Sequence, residues 1–270
     1  MISVLFLGDV FGRPGRRLIR ELLPTLVNRH SVDLVVANGE NASGGLGLTI
    51  KSAQELFRSG VDVLTSGNHI FKHKEISEYM DEDERVLRPA NYPEPAPGRG
   101  SVLVETKGGA RVGIINLLGR VFMAPLDCPF RTADREIEDL KVKGAEIILV
   151  DIHAEATSEK KSLGWDLDGR VGAVLGTHTH VQTADETILP GGTAYITDLG
   201  MTGPQESVIG MKKEPVIERF FTGRPTRFEV AKKGLRLEGA VIFFDPDSGL
   251  AINIERIQDV FPKKDNRKKI

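Results

Sequence analysis

Short runs of apolar residues, each followed by a polar tip, recur along the chain. They lie at Ile2–Leu7, 33–37, 62–65, 146–151 and 171–175. Nearly continuous apolar runs of this length are typical of strands that are buried on both faces. The pattern therefore predicts a set of interior strands, each of which delivers polar residues to a loop.

Helical spacing follows several of these runs. Leucines recur every four residues from Leu18 to Leu26, and Thr49 can cap a second helix. Further helices are predicted at 132–144 and from Thr157 onward. Strand, polar loop and helix in succession predict a parallel α/β sheet, whose functional sites gather at the carboxyl ends of the strands.

The remaining segments predict antiparallel strands. Residues 101–106 and 111–117 read as a hairpin around two glycines, and the proline-rich stretch 88–100 is expected to cross between sheets. The last third alternates apolar segments with Gly and Asp-Pro turns. It therefore predicts closing strands at 227–230, 235–244 and 251–256.

Composition sets the limits of this picture. A chain of 270 residues could form one large domain or two ordinary ones, and we favour one domain over 1–262, followed by a basic, solvated tail at 263–270. The chain has 40% hydrophobic and 27% charged residues and a formal charge of −2. These values do not indicate a nucleic-acid surface, so RNA contact is only a secondary interpretation of the tail.

The single cysteine, Cys128, excludes an internal disulfide and a zinc ribbon. No apolar run approaches the roughly 20 residues that cross a bilayer, so no membrane contact is expected. The first residues lack the features of a signal peptide and read as a strand. We therefore expect a cytoplasmic protein, and we also expect it to form a homo-oligomer.

The polar tips carry the candidate chemistry. Taken singly, Asp9 could cap a helix, Glu40 could belong to a turn, Asn68 and His69 could form an Asx turn, and His153 could be a satisfied buried histidine. Taken together, four of the six histidines directly follow predicted strands, beside Asp, Glu and Asn. Mixed carboxylate, amide and imidazole groups favour a pair of Mn, Fe or Zn ions over Ca or Mg.

His178 and His180 stand two residues apart in a segment expected to be extended. Their side chains therefore point to the same side and can reach one metal centre or two adjacent ones. Two metals roughly 3.5–4 Å apart can share a hydroxide and clamp a phosphoryl group, and Glu40 can bridge them. A non-ligand imidazole could protonate the leaving oxygen, and His69 is the candidate. Arg13, Arg16 and Arg17 could clamp anionic oxygens, although solvated charges are the preferred interpretation.

The order Gly-Asp, Gly-Asn-His, a lone His and Gly-x-His-x-His is similar to that of the calcineurin-like metallophosphoesterases. The chain more closely resembles their bacterial YmdB-type subgroup, and the resemblance runs almost from end to end. The motifs that carry it are Gly8-Asp9-Val-Phe-Gly12, Ala37-Asn-Gly-Glu-Asn-Ala42, Thr65-Ser-Gly-Asn-His69, Ala154-Glu-Ala-Thr-Ser-Glu159, Gly176-Thr-His-Thr-His180 and Thr197-Asp-Leu-Gly-Met-Thr-Gly203.

This chain departs from the wider superfamily at three places. It has Phe11 where an imidazole is common, and Asn41 could supply the replacement oxygen. It has Gly39-Glu40 where Gly-Asp is usual. Ile70 replaces the acidic residue after Gly-Asn-His, so another group must orient His69.

The resemblance implies an α/β fold, specifically a four-layer α/β/β/α sandwich of two mixed sheets flanked by helices. It also implies two metal ions and no other cofactor, with iron preferred and manganese or zinc possible. The first metal would take Asp9, Glu40, Asn41 and His180, and the second Glu40, Asn68, His153 and His178.

The activity that the resemblance implies is hydrolysis of cyclic nucleotides, 2′,3′-cyclic AMP included, through a metal-bridging hydroxide and with His69 as general acid. Two alternatives stay open. One is a phosphomonoesterase or nucleotidase of the same fold. The other is a regulatory, RNA-associated scaffold that keeps metals for folding.

Overall fold

Two β-sheets stack face to face in the computed structural model, which describes residues 1–261. The first sheet has seven strands in the order β2-β11-β12-β1-β3-β4, with β13 paired to β12. These strands are β1 (Ile2–Leu7), β2 (Asp9–Val10), β3 (Leu34–Asn38), β4 (Val63–Thr65), β11 (Met201–Pro204), β12 (Leu235–Phe244) and β13 (Ala251–Val260).

The second sheet has six strands in the order β5-β6-β7-β8-β10-β9. They are β5 (Ser101–Glu105), β6 (Arg111–Leu118), β7 (Ile147–His153), β8 (Ala173–Thr177), β9 (Thr187–Ile188) and β10 (Ala194–Ile196). Both sheets are mixed, because parallel strands at the centre are flanked by antiparallel partners.

Helices α1 (Gly12–His30), α2 (Ile50–Arg58), α3 (Glu75–Glu82), α4 (Pro129–Val142) and α5 (Thr157–Asp166) cover the outer faces of the sheets, with a short 3-10 helix at Ile70–Lys72. Helix α6 (Lys213–Thr222) buries only Val216. Thr49 caps α2 as predicted, since its side chain accepts a hydrogen bond from the Ser52 backbone N–H. None of the helices in residues 1–261 combines the length and apolar character needed to cross a bilayer.

Alternate residues of β1 show why the apolar runs lack a polar face. Val4 and Phe6 pack in the core between the two sheets, whereas Leu5 and Leu7 pack against the outer helices. A third apolar cluster joins the second sheet to α4 and α5. These layers confirm the predicted four-layer α/β/β/α sandwich.

The predicted strand at 227–230 is wrong. Only Val230 forms a bridge, to Met211, and the backbone of this segment bonds to the loop 210–212 instead of to a sheet. The helices α3 and α6 and the strands β2, β9 and β11 were not predicted. The domain limit at 262 and the basic tail 263–270 lie outside the described residues, so the single-domain assignment stays a prediction.

Candidate metal centre

The predicted polar tips meet at one edge of the sheets. The strands β1, β3 and β4 run parallel, as do β6, β7 and β8, so within each sheet their carboxyl ends share an edge. Each candidate side chain lies within 3.6 Å of another member of the set. The structure therefore brings together all of Asp9, Glu40, Asn41, Asn68, His69, His153, His178 and His180.

His153 stands at the centre of the first group of side chains. Its Nε2 atom lies 3.2 Å from Glu40 Oε1, 3.2 Å from Asn68 Oδ1 and 3.0 Å from His178 Nδ1. A proton on Nε2 can satisfy one of these acceptors, whereas a metal ion could bind all of them. Glu40, His153 and His178 hold ligand atoms within 4.8 Å of one another, which fits a metal ion bound by imidazole and carboxylate groups.

Outer partners orient both imidazoles of this group. His153 Nδ1 lies 2.9 Å from Thr177 Oγ1, and the Thr177 hydroxyl donates to Asp151 Oδ1 at 2.7 Å. His178 Nε2 lies 3.2 Å from Glu155 Oε2. Burial raises the pKa of Asp151 to about 6. Each ring is thus held by one nitrogen and presents the other to the centre, as metal-binding histidines usually do.

Asp9 and His180 form the second group. Asp9 Oδ2 accepts a hydrogen bond from the His178 backbone N–H at 3.1 Å, and Oδ1 lies 3.6 Å from His180 Nε2. Among residues 1–261, this buried Oδ1 atom has no hydrogen-bond partner. His180 Nδ1 lies 3.0 Å from the Ile209 carbonyl, which leaves Nε2 facing the carboxylate. A buried, unpaired carboxylate oxygen is costly, and a cation bound here would remove that cost.

The structure rejects the alternative in which Asp9 caps a helix. The residue at the N-cap of α1 is Phe11, and no side chain makes a cap hydrogen bond there. Asp9 points instead toward His180.

Glu40 contacts the first group directly and is linked to the second through Asn41, whose amide nitrogen lies 3.2 Å from His180 Nε2. Its Oε1 atom lies 3.2 Å from His153 Nε2 and 3.2 Å from His69 Nδ1, and it accepts a hydrogen bond from Asn41 Nδ2 at 2.9 Å. Burial acts to raise the pKa of Glu40, but the imidazoles of His153 and His69 hold that pKa well below its usual range. Glu40 is therefore a buried anion placed between two sets of ligand atoms.

Asn41 and His69 are paired beside this carboxylate. Asn41 Oδ1 lies 2.9 Å from His69 Nδ1, whereas Asn41 Nδ2 lies 3.2 Å from His180 Nε2. The amide nitrogen, not the oxygen, thus faces the second group, so binding of a metal through Oδ1 requires a half-turn of the amide. Glu40 and Asn41 orient His69 in place of the acidic residue that Ile70 replaces.

The loop that carries the histidine pair has strained backbone. The φ angles of His178 and His180 are 107° and 63°, which non-glycine residues rarely adopt. Between them, the Thr179 N–H donates to Asp198 Oδ2 at 3.0 Å, and the buried Lys160 ammonium donates to the same oxygen at 2.8 Å. Sequence reasoning missed this support, because Asp198 lies in a recognised motif but nothing pairs it with Lys160.

Gly67 leaves room for the first group. A Cβ atom at this position would lie 2.2 Å from His153 Cδ2 and 2.5 Å from Glu40 Oε2. No side chain fits at these distances, so glycine is required for the close approach of this loop to the centre.

The family model for YmdB-like proteins matches residues 5–257. The chain belongs to the YmdB-like family. A 2′,3′-cyclic-nucleotide 2′-phosphodiesterase of Bacillus subtilis (strain 168) is 49% identical over 256 residues, which cover 95% of this chain and 96% of the relative.

Two solved structures share the fold and much of the sequence. A hypothetical protein from Thermus thermophilus has a TM-score of 0.90 and 45% identity, covering 97% of this chain and 100% of that one. A novel phosphatase from Mycoplasma pneumoniae has a TM-score of 0.89 and 37% identity, covering 96% and 93%. The predicted YmdB-type family is thus confirmed, and so is the prediction of a phosphoesterase enzyme.

Proposed function

We propose that the chain is a phosphodiesterase that uses two metal ions to hydrolyse 2′,3′-cyclic nucleotides, 2′,3′-cyclic AMP among them. The proposal rests on the two adjacent groups of ligand atoms that share Glu40. The activity named for the Bacillus subtilis relative supports this substrate class. The ligands would be Asp9, Glu40, Asn41 and His180 for one ion, and Glu40, Asn68, His153 and His178 for the other.

The contacts of each ring support this division of the histidine pair. His178 presents Nδ1 to His153, and His180 presents Nε2 to Asp9. Bound metal ions would polarise the phosphoryl group and activate water. The mixed donor set suits iron, manganese or zinc, and we propose iron because the family resemblance implies it.

His69 would act as the general acid. Its side chain is 26% exposed, so substrate can reach it, and Nδ1 faces Asn41. In the doubly protonated form, the His69 ring donates its Nδ1–H to Glu40 Oε1. The second proton, on Nε2, can then pass to the ribose oxygen that leaves phosphorus, and the ring becomes neutral imidazole.

The test substitutes Glu40, the ligand proposed for both ions, and His178, a ligand proposed for one ion. Glu40→Gln and His178→Ala should each lower metal content and reduce kcat/KM for 2′,3′-cyclic AMP by more than about 100-fold, because even outer partners of metal ligands are worth about 10–100-fold. His73→Ala is the matched control, since the His73 ring contacts the Leu46 carbonyl and not the centre. Full metal content and turnover in both ligand variants would refute the proposal.

A phosphomonoesterase is the second candidate, because the Mycoplasma pneumoniae structure is described as a phosphatase. Comparing 2′,3′-cyclic AMP with AMP as substrates distinguishes the two activities. A protein that binds metal stoichiometrically but hydrolyses neither compound would instead favour the scaffold role. We also propose that residues 1–262 act as one catalytic domain.

A further inference from the structure

Four arginines line one face of the first half of α1. Arg13 and Arg20 each lie three and four residues from the pair Arg16 and Arg17, which places the four side by side on the helix surface. Together with Lys232 from a distant segment, they line a cavity of about 640 Å³. We call this feature the arginine groove.

This placement of charge opposes the stability of α1. The positive end of the helix dipole lies at the N-terminus, where cations are unfavourable and acidic residues are preferred. The first turn of α1 contains no acidic residue, and like charges at this spacing repel one another. The chain as a whole has a formal charge of −2, so the cluster does not reflect general basicity.

Carboxylates neutralise the cluster only in part. Arg16 Nε lies 2.7 Å from Glu55, and Arg17 Nε lies 2.8 Å from Glu21. Arg20 shares the same two carboxylates, at 3.6 Å from Glu21 and 3.7 Å from Glu55. Three guanidinium groups therefore share two carboxylates and keep a net positive charge.

The two remaining cations are unpaired. Arg13 and Lys232 are exposed, and within residues 1–261 neither side chain makes a hydrogen bond or an ion pair. They line the same cavity from different parts of the chain. The groove thus offers two free cations to an anionic ligand, beside three arginines whose charge is only partly neutralised.

One chain segment, residues 41–44, contributes to both the arginine groove and the candidate metal centre. The Arg16 guanidinium donates to the Ala42 carbonyl, the Gly12 N–H donates to the Asn41 carbonyl at 2.9 Å, and Gly44 lines the cavity. The Asn41 side chain, in the same segment, contacts His180 among the predicted ligands. The groove and the predicted ligands therefore adjoin the same short stretch of chain.

We propose that the arginine groove binds backbone phosphates of an RNA strand whose 3′ end carries a 2′,3′-cyclic phosphate at the metal centre. Guanidinium groups suit phosphate oxygens, and unpaired strands are commonly bound in positive grooves. The cyclic group forms when a ribose 2′-hydroxyl displaces the next nucleotide, so it terminates cleaved RNA as well as mononucleotides. The proposal rests on the proposed function and extends its substrate class.

The experiment compares a pentanucleotide ending in a 2′,3′-cyclic phosphate with 2′,3′-cyclic AMP. The readout is the ratio of kcat/KM for the two substrates. The wild-type ratio should exceed one and fall with added salt. The double variant Arg13→Gln/Lys232→Gln should lower this ratio about tenfold. A plot of log kcat/KM for the pentanucleotide against log salt concentration should also become less steep, by about 1–2 in slope. Folding is not at risk, because these substitutions remove unpaired, exposed charges.

Lys233→Gln is the matched control. Lys233 is exposed and adjacent to Lys232, but it does not line the arginine groove; both lysines line a second cavity. This substitution removes one positive charge from the segment that carries Lys232, as the Lys232→Gln half of the double variant does, and it should leave the ratio unchanged. An equal effect of this control would mean that net charge, not the groove, determines the ratio, and it would overturn the proposal.

Three further results would overturn it. The first is a wild-type ratio that does not exceed one, and the second is an unchanged ratio in the double variant. The third is a double variant that changes only the inhibition by inorganic pyrophosphate, which would mean that the groove binds a free anion and not the RNA substrate. If the wild type hydrolyses neither substrate, the proposed function fails. Fluorescence anisotropy with a 3′-phosphorylated pentanucleotide then tests RNA binding by the groove separately. Weaker binding by the double variant than by the wild type supports RNA binding by the groove. Equal binding by the two proteins, or no binding by the wild type, refutes it.

Discussion

At the scale of single residues, each predicted histidine ligand has an outer hydrogen-bond partner on the side away from the centre. Thr177 holds His153, Glu155 holds His178, and the Ile209 carbonyl holds His180. Rings oriented in this way lose little conformational freedom when a ligand binds, which favours binding. His69 differs, because its contacts are with Glu40 and Asn41 inside the cluster.

The proposed proton transfer from His69 predicts a dependence on the leaving group. His69→Ala should lower kcat for 2′,3′-cyclic AMP by about 100-fold or more, since general acid catalysis is typically worth 10²–10⁴-fold. Turnover of bis(p-nitrophenyl) phosphate should fall much less, because p-nitrophenolate leaves without a proton. Steady-state kinetics with both substrates, alongside metal analysis, make the comparison. Equal losses on both substrates would assign His69 to positioning or metal binding.

At the scale of secondary-structure elements, α5 supports the loop that follows β8. Lys160 on α5 and Asp198 after β10 form an ion pair whose side chains are 1% and 0% exposed. The same carboxylate oxygen accepts the Thr179 N–H, between the two histidines with positive φ. The pair therefore links one helix to the strained backbone of the candidate centre.

Removing one member of this pair should be more harmful than removing both. Lys160→Met leaves a buried carboxylate without its partner and should lower the free energy of unfolding by about 3–5 kcal/mol. The double variant Lys160→Met/Asp198→Asn should recover part of this loss, because no unpaired charge remains. Urea unfolding measures both values. Lys161→Met is the control, because Lys161 is half exposed and its ammonium comes no closer than 3.9 Å to Asp185. A Lys160→Met effect no larger than this control would contradict the prediction.

At the scale of the whole molecule, the two sheets meet where buried anions and imidazoles are concentrated. Asp9, Glu40 and His153 are each fully buried at this junction, and the Asp9 Oδ1 atom lacks a partner among residues 1–261. Since these groups come from both sheets, an ion that they bind would connect the two halves of the sandwich.

Metal binding should therefore raise thermal stability. Metal at about 100 times its Kd adds about 2.7 kcal/mol, which for a chain of this size corresponds to a Tm increase of about 5–10 °C. Differential scanning calorimetry of chelator-treated and metal-loaded protein tests this, and the increase should be smaller in Glu40→Gln. Identical Tm values for the two wild-type forms would show that no ion binds the folded state in preference to the unfolded chain.

Local pattern was sufficient for the main strands and for the residue types at their ends. The runs at Ile2–Leu7 and 33–37 are apolar because both faces of their sheet are covered, and a parallel sheet brings its carboxyl ends to one edge. For that reason the set from Asp9 to His180 could be named from the sequence. The failed strand at 227–230 shows the limit, since strand propensity does not supply a pairing partner.

Only the tertiary structure decided which distant groups meet. Lys160 and Asp198 are 38 positions apart, and their pairing depends on the packing of α5 against the second sheet. Three other features likewise depend on side-chain neighbours from separate elements. They are the orientation of the Asn41 amide, the unpaired oxygen of Asp9 and the approach of Lys232 to the α1 arginines. Local sequence encodes periodicity and residue chemistry, whereas distances between side chains far apart in the chain are set only when the layers pack.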